Sequence, residues 1–76
     1  MDYRKANLDK EATSIVLRSL RIKANLTHDR LAALLQLNNR RVIYDWESVK
    51  KMPNVENLHY LALIFNMKME DLFVTK

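Results

Sequence analysis

The chain has 76 residues, 49% of them hydrophobic, with no Cys and no Gly. That is enough for one small core; it excludes a disulfide framework or a thiolate metal site, and no apolar run reaches membrane-spanning length. The net charge is +4, and residues 18–51 hold eight basic groups against three acidic ones, so the whole positive excess lies in that segment.

Such a distribution is expected of a segment that faces a polyanion, with a solvated basic surface as the alternative. The opening stretch MDYRKANLDKEA lacks the hydrophobic segment of a signal peptide. A soluble, cytoplasmic protein with no membrane partner is the expectation.

The pattern along the chain predicts an all-α fold of five short helices. Helix 1 is expected from near Asp9 to about Ala24, with Leu8 as a possible staple and Val16, Leu17 and Leu20 on its buried stripe. Asn25 falls where the chain must leave the helix, and Asn tolerates the left-handed conformation better than any residue but Gly. Thr27 caps helix 2, whose buried face is read as Leu31, Ala32, Leu34 and Leu35. After the turn Gln36-Leu37-Asn38-Asn39, with Leu37 inward and Asn39 or Asn38 as cap, helix 3 is anchored by Val42, Ile43 and Trp46. Its Arg40, Arg41, Tyr44 and Asp45 are left mainly outside. Pro53 and Asn54 start helix 4, which turns Val55, Leu58, Leu61, Ala62 and Ile64 or Phe65 inward and ends at Asn66. Residues 69–74 are expected to form helix 5, and no strand pattern is evident.

The residues LRSLR at 17–21, LTHDRLAALL at 26–35, IYDWE at 43–47, the Pro53 turn and LHYLALIFNMKMEDLF at 58–73 occur in a characteristic order and spacing. In these the chain resembles the lambda-repressor-like helix-turn-helix domains of the Cro and xenobiotic-response-element type. The resemblance implies residues 1–12 as an N-terminal extension and start of helix 1, 13–74 as the helix-turn-helix domain, and 75–76 as a tail. It also implies a transcriptional regulator, commonly a repressor, that binds double-stranded DNA as a dimer on paired half-sites.

Carried over by position, the resemblance makes helix 3 the recognition helix, with Arg40 and Arg41 at its groove-facing end. Arg donates two hydrogen bonds to guanine O6 and N7, a pairing worth about 1–3 kcal/mol of discrimination; contact with phosphate is the alternative. Tyr44 is placed to pack on a thymine methyl or reach a phosphate, and Asp45 to accept from cytosine or to orient Arg41. Thr27, His28 and Asn39 are implied phosphate contacts, His28 standing where the family usually has Gln, and Lys50 and Lys51 add sequence-independent ones. Arg21 and Glu47 match a pair that locks helix 1 to the end of helix 3, and Trp46 reads as core. The sequence departs from the family at Gln36 and Val49, where Gly is frequent. At Val49 a β-branched residue argues for a longer helix 3 over a left-handed turn. Lys68 replaces the usual capping Ser or Thr.

No catalytic residue, metal or cofactor is expected. His28 and His59 have no carboxylate or Cys at ligand spacing, and no nucleophile motif or phosphate-cradling Gly loop is present. The rival expectation is a protein-binding module of the same fold, such as an antitoxin or accessory protein. Its best feature is the apolar C-terminal group Phe65, Met67, Met69, Leu72, Phe73 and Val74, with closure of the monomer core as the alternative role, favoured for Leu72 and Phe73. A homodimer contact through Phe65, Met67, Met69 and Phe73 accommodates both readings.

Overall fold

A computed structural model describes residues 7–75. The expected N-terminal extension therefore lies outside the described residues over 1–6, as does Lys76. Four α-helices carry the fold: α1 (Lys10–Lys23), α2 (His28–Leu34), α3 (Arg41–Glu47) and α4 (Val55–Phe65). Strands β1 (Leu8–Asp9) and β2 (Val74–Thr75) flank them, and a single 3-10 turn spans Met69–Asp71.

Lacking glycine, the chain ends each helix on a residue that carries a side chain. Asn25, Gln36, Val49 and Asn66 take φ of 59°, 56°, 67° and 54°. In each case the next amide donates back to a helix carbonyl: Leu26 to Arg21, Leu37 to Ala32, Lys50 to Asp45 and Met67 to Ala62, at 2.9–3.0 Å. These bonds satisfy carbonyls that a helix end leaves without partners. The residues after the first, second and fourth ends, Leu26, Leu37 and Met67, also pack against the core. Three helix starts are capped by side chains: Asp9 accepts from the Ala12 amide, Thr27 from Arg30 and Asn54 from Asn57, at 2.8–3.0 Å.

The core is built from Leu17, Leu31, Ala32, Leu35, Ile43, Trp46, Leu61, Ala62 and Leu72. Trp46 is thus a core residue, and its carbonyl accepts a 2.6 Å hydrogen bond from the buried Ser14 hydroxyl. Among the described residues no buried side-chain polar atom lacks a partner.

Four expectations need correction. The fifth helix is only the 3-10 turn, because Lys68 provides no side-chain cap and the chain then straightens into β2. That strand pairs antiparallel with β1, Leu8 opposite Thr75 and Asp9 opposite Val74, and its Val74 amide donates to the buried Thr13 hydroxyl at 2.9 Å. The fold is therefore mainly helical with a two-stranded ribbon. Val49 does adopt the left-handed turn, so α3 stops at Glu47 instead of running on. Leu34 and Val55 are 45% and 71% exposed and not part of the core face, whereas Leu35 and Leu58 turn inward as expected. Neither Asn38 nor Asn39 is the cap of helix 3: Arg40 stands at that position without a side-chain cap bond, and Asn39 Oδ1 accepts from the Arg41 amide at 2.9 Å just ahead of the helix. No helix among the described residues is long and apolar enough to cross a membrane.

Candidate nucleic-acid interface

The site is built on α3, whose two sides differ sharply. Ile43 and Trp46 face the core, so helical periodicity turns the positions between them outward. Arg41 and Tyr44 are exposed, Asp45 is half-buried, and Arg40 stands exposed just ahead of the helix. Together with Ser48 and Lys50 these residues line one shallow surface recess. Arg40, Arg41, Tyr44 and Asp45 thus share one face, and Lys50 joins it through the left-handed turn at Val49.

Beneath this face lies a continuous polar chain. Arg21 on α1 is buried; its Nε donates to Glu47 Oε2 at 2.7 Å and its Nη2 to Oε1 at 3.1 Å. Its Nη1 donates to the Leu26 carbonyl at 2.8 Å, so one guanidinium ties together α1, the turn before α2 and the end of α3. Both side chains of the ion pair are only 9% exposed. A pair this buried and fully bonded resists removal of either member more than a surface pair does.

His28, the first residue of α2, extends the chain outward. Its Nε2 lies 3.1 Å from Glu47 Oε1. A carboxylate only accepts, so Nε2 carries the proton and Nδ1 of the neutral ring is an acceptor. A direct bond from that ring to phosphate therefore requires the doubly protonated imidazole. The same ring stacks on Tyr44, centroids 3.9 Å apart and planes 13° from parallel.

The other candidate residues stand around this centre. Thr27 is exposed, its hydroxyl oxygen engaged as the α2 cap. Asn39 is exposed with its carbonyl oxygen turned to the Arg41 amide, which leaves its NH2 facing solvent. Lys50 and Lys51 are exposed, with both backbone amides on the Asp45 carbonyl at 3.0 and 3.2 Å. Asp45 makes no ion pair among the described residues, whereas Arg40 Nη1 reaches Asp29 Oδ2 at 3.1 Å across the turn. The sequence reading did not anticipate the Arg40–Asp29 pair or the His28–Tyr44 stack. The only advance sign of the stack was the His standing where the family usually has Gln.

No family model matches this chain, and no curated relative does. Solved structures do. The restriction-modification controller protein C.AhdI from Aeromonas hydrophila superposes with a TM-score of 0.76 at 26% identity, over 86% of this chain and 97% of that one. HppE matches in its apo form at a TM-score of 0.74 and in its FeII form with substrate at 0.75, each at 18% identity. There the match covers 86% of this chain but only 36% and 37% of HppE, so the chain spans about a third of that protein and shares with it the fold alone. The resemblance read from the sequence holds in three dimensions: this chain has the architecture of a lambda-repressor-like helix-turn-helix domain.

Proposed function

We propose that this protein is a small transcriptional regulator that binds double-stranded DNA by sequence, with α3 in the major groove. The observation that carries the reading is the outer face of α3, where Arg40, Arg41 and Tyr44 stand exposed on a helix whose inner side is locked into the core. The likeness to a controller protein supports a regulatory role. In this reading Arg40 and Arg41 read guanine, Tyr44 and Asp45 read or orient beside them, and Thr27, Asn39, Lys50 and Lys51 contact phosphates, joined by His28 only when its imidazole is doubly protonated. The protein acts as a repressor in the cytoplasm and binds paired half-sites as a homodimer, through the C-terminal end where Phe65, Met67, Met69 and Phe73 are half-buried.

The test is selection of bound duplexes from a random library at about 150 mM salt, where nonspecific phosphate binding is already weakened. An enriched inverted repeat with half-site centres about 10 base pairs apart supports a dimeric reader. A folded protein that enriches nothing overturns it in favour of a protein-binding module. For that alternative the exposed Ile15 and Ile22 on α1 and Leu63 on α4 offer apolar surface.

A further inference from the structure

Tyr44 is the one large apolar group on the outer face of α3, 47% exposed, and its ring is held in a stack with a side chain of α2. One face of its ring is covered by His28 at 3.9 Å, and His28 is itself fixed through Glu47 to the buried Arg21. The tilt of a surface ring is thus set by a chain of contacts that begins inside the domain. Such pre-organisation is what separates a reading contact from an adaptable surface side chain.

Resting on the reading that α3 enters the major groove, we infer that His28 is a positioning residue for Tyr44. It holds the ring so that its uncovered side meets a thymine methyl at one fixed step of each half-site. The thymine methyl is the apolar group that base edges present in the major groove. The stack turns a tyrosine that would otherwise sample phosphate, base and solvent into a contact of one kind at one place. His28 also joins the start of α2 to α3, so the two helices of the motif present a single surface.

The test uses the full chain and the duplex that it enriches, with each thymine of the half-site replaced in turn by deoxyuridine, which removes only the methyl. Wild type loses about fourfold in affinity at one step, the equivalent of one buried methyl-sized group. His28→Ala, checked for folding by its thermal midpoint, binds the thymine and uridine duplexes equally. His28→Phe, which restores a stacking ring without the bond to Glu47, recovers only part of the discrimination, and Tyr44→Phe retains it. A merely structural role for His28 would lower affinity for both duplexes and leave their ratio unchanged.

If wild type distinguishes no thymine from uridine, if His28→Ala keeps the ratio, or if His28→Phe restores none of it, the inference is overturned while DNA reading stands. If wild type enriches no duplex at all, the proposed function fails and the inference falls with it.

Discussion

The inner side of α3 buries Ile43 and Trp46 and ties Glu47 to Arg21, while the outer side of the same seven-residue helix leaves Arg41 and Tyr44 in solvent. Every inner contact has a reason within the fold: apolar surface leaves water, and each buried charge has its bonds. The outer cations have no such reason. Among the described residues Arg40 pairs only with the exposed Asp29, an ion pair of little worth to stability, and Arg41 enters none. A side of a helix that the fold does not need is free to be shaped by a partner, so the contrast separates residues that hold α3 from residues that use it.

The comparison breaks most visibly on the inner side. Arg21→Ala leaves Glu47 buried with only His28 beside it, and denaturant unfolding should show a loss of about 3–5 kcal/mol. Ile43→Ala should cost about 2–5 kcal/mol through the cavity it opens. Ser14→Ala removes the partner of the Trp46 carbonyl and should cost about 1–3 kcal/mol by the same measurement. At the border between the two sides, Val49 holds a β-branched residue at a φ of 67°. Val49→Gly should relieve that strain and raise stability by about 1 kcal/mol. Arg40→Ala with Arg41→Ala should leave the thermal midpoint nearly unchanged, which sharpens the contrast; a large loss of stability would erase it.

Much of the scaffold was legible because its signals are local. Thr27 and Asn54 stand where a helix start needs an acceptor, and Asn25 and Asn66 stand where a helix end needs a left-handed residue. Val49 was misread because its local preference opposes the turn it makes. Here the ladder of amides onto the Asp45 carbonyl and the buried Pro53 that follows outweigh one unfavourable φ.

The β ribbon was invisible for a different reason. Two-residue strands carry no alternation, and the contact that pins β2 joins residues 61 positions apart. Leu34 and Val55 show the limit of residue type, since an apolar side chain at roughly the right spacing in the sequence can still lie outside in the fold. In the candidate site, the exposed side of helix 3 followed from periodicity. The His28–Tyr44 stack joins the start of one helix to the far side of another, and only the folded chain brings those rings together.

The most direct test of the separation between holding and using α3 is one competition measurement on the doubly substituted Arg40→Ala, Arg41→Ala protein, enriched duplex against random duplex. The account predicts that the preference seen with wild type collapses to about one, while weak, salt-sensitive binding remains through Lys50 and Lys51. A preference that survives intact in the folded double variant would contradict it, because the outer face of α3 would then not be what reads the sequence.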